Sequence, residues 1–314
     1  MSDIILHHYP ASPFAEKARM MLGFKGLAWH SVAIPPVMPK PDLTALTGGY
    51  RKTPVMQVGA DIYCDTAMIA RQLDRLHPLP ALYPEGREAV AASVAQFADQ
   101  VMFQHGVALN FQPQAVAERF RGAPESVMKA FLADRRKLFE GGTASPLHPA
   151  QAMSQWPTLL GRLEQQLEDS GTFLLGEEPC IADFAYYHPL WFVAGNKAAA
   201  AALDPYPQVR AWLEAVAACG HGEPSELAAE EAIRIARDAT PAALPVASFA
   251  DPNGLEPGQP VTVAAVDYGV DPVAGTLVYQ DAEELVVSRE DERAGHMHVH
   301  FPRYGFRLSP GKPA

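Results

Sequence analysis

Residues 50–76, YRKTPVMQVGADIYCDTAMIARQLDRL, read as strand, turn, strand and helix, with Asp65 and Thr66 at the helix entrance. Thr53-Pro54 opens the first strand, where a proline suits a bend that leaves the preceding backbone free to pair with a ligand. Val55, Gln57 and Gly59 alternate with Met56 and Val58 up to Gly59-Ala60-Asp61, a hairpin-turn signal. Met68, Ile69, Leu73 and Leu76 then recur at helical spacing, which gives the next segment one apolar face. The unpaired N–H groups and dipole of that helix attract a carboxylate, while the Asp65 carboxylate can hold an ammonium beside it. A free amino-acid head group carries both charges. Simple capping of the helix by Asp65 or Thr66 is the alternative reading.

Working outward toward the N-terminus, Ile4-Ile5-Leu6 makes a short buried strand. It is followed by YPASPFAEKAR over Tyr9 to Arg19, in which Pro10 and Pro13 break the strand before a helix begins. Ser12 falls at this strand-to-helix turn. Its hydroxyl either caps the helix or faces outward, where the N–H groups help to hold a nearby thiolate.

Taken in order, these elements resemble the glutathione transferase superfamily, in its serine-type, bacterial-like form. The resemblance implies an α/β thioredoxin-like N-terminal domain (residues 1–82) and an all-α helical electrophile-binding domain (87–240). In Ser12-Pro13-Phe14 the serine matches the family residue that hydrogen-bonds the glutathione sulfur and lowers its pKa. Pro54 matches the family's cis-proline, with Thr53 pairing its backbone to the cysteinyl part of glutathione. Asp65 and Thr66 occupy the Glu/Asp-Ser positions that bind the γ-glutamyl end, with threonine as a mild departure from the usual serine. Lys52, or Lys40 or Arg51 in another register, reaches the glycyl carboxylate. Tyr9 is a rival sulfur donor, because some branches use a tyrosine at the end of the first strand.

A third segment, FLLGEEPCIADF over Phe173 to Phe184, resembles the structural motif of the family's helical domain. The family places Ser or Thr where this chain has Cys180. A thiol is a poorer acceptor than a hydroxyl, so a capping box with Asp183 is expected to be weaker, and Cys180 to be a buried structural thiol.

Beyond Pro84 the pattern turns helical: Val90, Val94, Phe97, Val101 and Leu109 give one apolar face, and Trp156, Leu159, Leu160, Leu163 and Leu167 another. The first of these helices faces the glutathione sulfur in the family, which makes Phe103, His105, Asn110 and Phe111 candidates for the electrophile wall. With Tyr9 and Phe14, Phe103 and Phe111 form the expected electrophile pocket. Ordinary core packing of the aromatics, with His105 at the surface, is the competing expectation.

The segment TPAALPVASFADPNGLEPGQP is rich in proline and small residues and marks a boundary. After it come short β-like runs at Val261–Val266, Gly275–Tyr279, Glu284–Ser288 and His296–Phe301, expected to form a small mostly-β C-terminal domain over 247–314. A sheet of this size buries too little surface to stand alone, so it should dock on the body. The resemblance covers about the first 240 residues and is silent on this tail. Within it His296, His298 and His300 lie at i, i+2 and i+4 on one strand face. Neighbours two apart on a strand are about 7 Å apart, too far to converge easily on one ion, so the row is expected to face solvent or an interface and no metal is expected.

The remaining composition narrows the function class. The chain has 314 residues, a net charge of -11 and 48% hydrophobic residues. The acidic balance argues against broad nucleic-acid affinity, and no run of eighteen apolar residues suggests a membrane span. The start MSDIILHHYP carries no visible secretory signal, and Cys64, Cys180 and Cys219 form no paired spacing, which together point to the cytoplasm. The resulting expectation is a cytoplasmic, homodimeric detoxification-type enzyme that transfers glutathione sulfur to a small hydrophobic electrophile. The alternative is a non-catalytic scaffold or regulatory protein that works through its C-terminal β domain. Glutathione-dependent reduction is a third option, weakened because position 12 holds no cysteine.

Overall fold

The structure, a computed structural model, describes residues 3–246 and 249–311. The N-terminal part runs β1 (Ile4–His8), α1 (Pro13–Phe24), β2 (Ala28–Ala33), α2 (Pro41–Thr47), β3 (Val55–Val58), β4 (Asp61–Cys64) and α3 (Thr66–Leu76). A helical part follows: α4 (Glu88–Phe97), a π-helical turn at Ala98–Met102, α5 (Phe103–Asn110), α6 (Pro113–Arg119), α7 (Glu125–Leu138), α8 (Pro149–Ser170), α9 (Ile181–Ala194) and α10 (Pro207–Ala217). The chain then returns through β5 (Glu223–Glu226) and α11 (Ala229–Asp238) to β6 (Pro260–Ala265), β7 (Val273–Gln280), β8 (Glu284–Asp291), β9 (Gly295–Pro302) and β10 (Phe306–Pro310). Among the described residues no helix is long and apolar enough to cross a membrane.

Among the described residues all ten strands form one sheet in the order β10-β6-β7-β8-β9-β4-β3-β1-β2-β5. The thioredoxin-like core, β4-β3-β1-β2, is extended on both sides by later chain. Parallel pairing of β5 with β2 closes one edge, and parallel pairing of β9 with β4 closes the other, in the register Asp61↔His298, Ile62↔Val299 and Tyr63↔His300. Both exposed edges, which would otherwise present unpaired backbone groups, are thereby occupied.

Side-chain alternation along the strands explains why the C-terminal strands cannot be a separate body. Leu6, Met56 and Tyr63 face the core shared with α1, α3 and the helical part. On the opposite face Val55, Ile62 and Cys64 pack with Leu43 and Leu46 of α2 and with Val287, Val299 and Phe301 of the C-terminal strands. Those strands were expected to form a small domain of their own docked on the body. They do form in that stretch, but as a continuation of the body's own sheet and core. Complete burial of a side chain such as Phe301 contributes about 2–3 kcal/mol. The segment 223–238, read as the end of the helical domain, likewise belongs to the sheet layer: Gln57 donates to the Ala232 carbonyl of α11 at 2.8 Å.

Within the helical part the apolar face of α4 differs from the one read in the sequence. Val90 and Phe97 are exposed, and the buried stripe is Ala91, Ala95, Ala98 and Met102. Small side chains let α4 approach α9 closely, a packing gain that a hydrophobicity count undervalues. Likewise Gly106 of α5 sits so near Pro189 of α9 that a Cβ would lie 3.1 Å from its carbonyl oxygen. On α8, Trp156, Leu160, Leu163 and Leu167 are buried as the spacing indicated, with Leu159 at the margin of the core.

Candidate active site

A cavity of about 890 Å³ lies between the sheet end of α1 and α3, the helical part and the C-terminal strands. Its volume is at the upper end of small-molecule pockets. Ser12, Thr53, Asp65 and Thr66 all line it, so residues spread over more than fifty positions converge on one space.

Ser12 is the N-cap of α1: its Oγ accepts from the Ala15 N–H at 3.2 Å, and its own N–H donates to the Tyr9 carbonyl at 3.1 Å. A hydroxyl that accepts at a cap keeps its proton, so Ser12 can cap and still donate to an anion in the cavity. The two readings of Ser12 are therefore compatible.

The Thr53-Pro54 peptide is cis. The ladder of β3 begins at Val55, which leaves the Thr53 main chain outside the paired register. Its hydroxyl accepts from Lys40 Nζ at 2.9 Å. Burial, reinforced by Arg135 and Arg51, lowers the Lys40 pKa to about 8.

Asp65 is the only non-glycine residue with positive φ among those described, at φ 79°. That conformation costs about 1–3 kcal/mol, and strain of this kind concentrates at functional positions. Its Oδ1 caps α3 by accepting from Ala67 N–H at 2.9 Å. Burial raises the Asp65 carboxyl above its ordinary range, opposed by Lys52 and by the Ala67 bond. The carboxylate thus lacks a close cation, and Thr66 opens the helix beside it.

Lys52 does not stand free. Its Nζ lies 2.6 Å from Asp267 Oδ1 and 4.2 Å from the Tyr268 ring centre, both contributed by the segment after β6. This segment lines the cavity and ties to the helical part: Thr143 and Ala144 N–H groups donate to the Val266 and Asp267 carbonyls at 3.0 and 2.9 Å. Gly142 is required there, because a Cβ would fall 1.9 Å from the Asp267 oxygen.

Tyr9, Phe14, Phe103 and Phe111 line the same cavity. Phe14 packs on Phe103 and His188 with ring centres 4.6 and 4.4 Å apart. His105 and Asn110 turn away. His105 is buried and bridges the Val101 carbonyl and Gln155, and Asn110 bonds back to the Gly106 carbonyl. His105 is therefore neither pocket wall nor surface residue but a link between α5 and α8.

Beneath Phe14 lies a group that the sequence reading missed. Asp99, in the π-helical turn, accepts from Lys17 at 2.6 Å and from His188 at 3.0 Å. Burial, which alone would raise the Asp99 carboxyl, is outweighed by these two partners, so its pKa lies below the ordinary range. Lys17 is 1% exposed. A lysine and an aspartate eighty-two positions apart carry no local signal of their pairing.

Sequence comparison accounts for this arrangement. The chain matches the family "Glutathione S-transferase, N-terminal domain" over residues 6–81 and "Glutathione S-transferase, C-terminal domain" over 80–215. A GST-like protein from Pseudomonas syringae, known from its crystal structure, is 49% identical, with a TM-score of 0.83 over 99% of this chain and 100% of that one. The chain belongs to the glutathione S-transferase family. Two more distant structures, glutathione S-transferase III in its apo form and poplar glutathione transferase F1, are 20% and 13% identical. Each covers 69% of this chain, spans 92% and 93% of its own length and has a TM-score of 0.51, which shows the shared fold. A comparison with curated proteins gave no match. The Pseudomonas syringae relative spans the whole chain, whereas the two distant transferases leave about a third of it unmatched.

Two features of this transferase-family member lie outside the cavity. Cys180 is 1% exposed, and burial pushes its thiol up to about 12. Its capping box is formed in full, with the Cys180 N–H donating to Asp183 at 3.0 Å, and Asp183 also accepts from Leu174 N–H and Trp212. The structural role expected of this thiol is the one it has, and three donors on Asp183 offset the weaker sulfur acceptor. The histidine row crosses the β4–β9 seam. His296 is exposed and bonds Ser288, whereas His300 is buried between Asp61 (3.0 Å) and Glu284 (2.7 Å) and stacks on Tyr63. His298 Nδ1 lies 3.8 Å from Asp61.

Proposed function

We propose that the protein is a cytoplasmic glutathione transferase that joins the glutathione sulfur to a small hydrophobic electrophile. The observation that carries this reading is the convergence of three groups on one cavity: a hydroxyl with a free proton at Ser12, an unpaired carboxylate at the strained Asp65, and an aromatic wall. A thiol of ordinary pKa, about 8.5, is only a few per cent thiolate at neutral pH. The Ser12 hydroxyl and the first N–H groups of α1 favour the anion, and each pKa unit they remove corresponds to about 1.4 kcal/mol. In the reaction the thiol proton passes to solvent and the thiolate forms a carbon–sulfur bond. A leaving group departs with its electron pair, or an activated double bond takes up a proton. Asp65 holds the γ-glutamyl ammonium, the entrance of α3 its carboxylate, and Thr53 the cysteinyl main chain. Lys40 meets the glycyl carboxylate, as does Lys52 once Asp267 yields.

The exposed Val90 and Phe97, seven positions apart on α4, support a homodimer, since a partner chain would cover them. A second reading, a non-catalytic scaffold or regulatory protein that works through its C-terminal β strands, draws on one observation: Asp267 and Tyr268 of that region already engage Lys52 in the cavity. Calorimetric titration of glutathione, followed by turnover of a generic aryl halide, separates the two. Saturable binding with turnover supports the transferase, whereas binding without turnover, or no binding at millimolar glutathione, defeats it in favour of the scaffold.

A further inference from the structure

The cavity contains more positive charge than glutathione needs. Lys40, Arg51, Arg119 and Arg135 lie at or beside it, and within this cluster Asp134 is the only carboxylate paired to any of them among the described residues. Asp134 is fully used: it meets Arg51 at 2.9 Å and Arg135 at 2.8 Å. The side chain of Arg119, the last residue of α6, makes no ion pair or hydrogen bond among the described residues. Its guanidinium rests instead against two rings, 4.8 Å from the centre of Phe192 and 5.7 Å from that of Phe131. Arg135 packs on Phe131 at 4.8 Å, and its Nε is buried without a hydrogen-bond partner.

An arginine stays ionised in a protein, so a guanidinium held against apolar rings without a counter-ion is a cost that an arriving anion removes. The chain as a whole is acidic, with a net charge of -11, which makes a local surplus of cations in a cavity harder to attribute to average composition. Glutathione brings two carboxylates. In the reading above one goes to the entrance of α3 and the other to Lys40, and neither uses α6 or α7. Arg119 and Arg135 come from the helical part, on the side of Phe111 and Phe131, whose rings lie 6.2 Å apart. Flat rings next to a planar, bidentate donor suit an aryl carboxylate.

We propose that Arg119, backed by Arg135, is an anion site in the electrophile half of the cavity, and that the second substrate is an aromatic electrophile bearing a carboxylate. This inference rests on the transferase reading, and its test is built to fail separately from it. The probes are 4-chloro-3-nitrobenzoate and its neutral counterpart 4-chloro-3-nitrobenzamide. With either, the thiolate forms the carbon–sulfur bond, chloride leaves with its electron pair and the thiol proton goes to solvent. The wild type should favour the benzoate in kcat/KM, and Arg119→Ala should reduce the benzoate-to-benzamide ratio by at least about tenfold, the scale of one charge-assisted hydrogen bond. Arg119→Lys should restore part of the ratio, and glutathione affinity measured by calorimetry should be kept in both variants.

An unchanged ratio, or loss of glutathione affinity in Arg119→Ala, overturns the proposal, the latter because it assigns the cation to the tripeptide. If neither halide turns over, calorimetry with 3-nitrobenzoate decides. Binding to the wild type that weakens at least about tenfold in Arg119→Ala upholds the anion site while the transferase reading falls. Equal or absent binding removes the anion site. Should Arg119→Ala fail to fold, Arg119→Gln is carried through the same measurements.

Discussion

Asp61 and Asp65 stand at opposite ends of β4, four residues apart, and the protein treats them in opposite ways. Asp61 is saturated: one oxygen faces His300 at 3.0 Å and the other accepts from Ala242 N–H at 2.8 Å. Asp65 spends one oxygen on its helix cap, has no cation within salt-bridge distance among the described residues, and sits at positive φ. The first carboxylate is consumed in holding β9 to β4. The second is kept incomplete and strained at a cavity wall. The difference suggests a criterion: a buried acid whose partners are all internal supports the fold, and one left with an open face awaits a ligand.

The largest effect that could break this comparison is expected at Asp61. Asp61→Ala leaves the His300 charge with a single carboxylate and frees Ala242 N–H, a loss of about 3–5 kcal/mol in urea unfolding. Glutathione affinity of the folded fraction should be unchanged, and a parallel loss of binding would mean that the two carboxylates are not separate in role.

Next in size is Asp65. Asp65→Gly relieves the positive φ and costs an N-cap only a few tenths of a kcal/mol, so stability should stay within about 1 kcal/mol of wild type. Glutathione affinity should nonetheless fall by about thirtyfold or more, corresponding to about 2 kcal/mol or more for a lost buried charge pair. A variant that binds normally would reduce Asp65 to a cap.

Ser12→Ala ranks third. Losing one preorganised donor should lower turnover of an aryl halide by at least about tenfold, with glutathione affinity changed far less. Unaltered turnover would shift the donor role to Tyr9, which lines the same cavity.

The smallest expected effect sharpens the comparison through pH. Burial alone would lower the His300 pKa, but the hydrogen bonds and charges of Asp61 and Glu284 more than offset it, placing it above 6.5. Stability from this group is fully present below about 6.5 and is lost as pH rises through the higher folded value. Glu284 moves the other way. Burial, which alone would raise it, is outweighed by His300 and Arg75, so its pKa lies below 4.5. Its contribution is present above 4.5 and is lost as pH falls through the depressed value. Urea unfolding followed across pH should therefore show the seam weakening at both ends, and His300→Gln should abolish the alkaline limb. A limb that survives the substitution belongs to another group.

The local grammar of the chain was sufficient for β1, the turn into α1 and residues 50–76, whereas β2 and α2 carried no reading of their own. Thr53-Pro54, the Gly59-Ala60 turn, the Asp65 cap and Ser12 before Pro13 each act within a few residues of themselves, so hydrogen bonds and periodicity reveal them in one dimension. The same holds for Cys180 and Asp183, three positions apart in one capping box. Hydrophobic counting failed on α4, where alanines were buried and Val90 and Phe97 were not, because close helix approach rewards small side chains. What only the tertiary structure decided lies across long separations. Lys52 meets Asp267 after 215 positions and Asp61 meets His300 after 239, each through chain closure that no local pattern records. Buried charge is placed by whichever partner the fold brings near, and the partner is set by how β9 returns to β4. The sequence thus determined the pieces of the candidate site, and the returning C-terminal strands determined which residues meet them in the cavity.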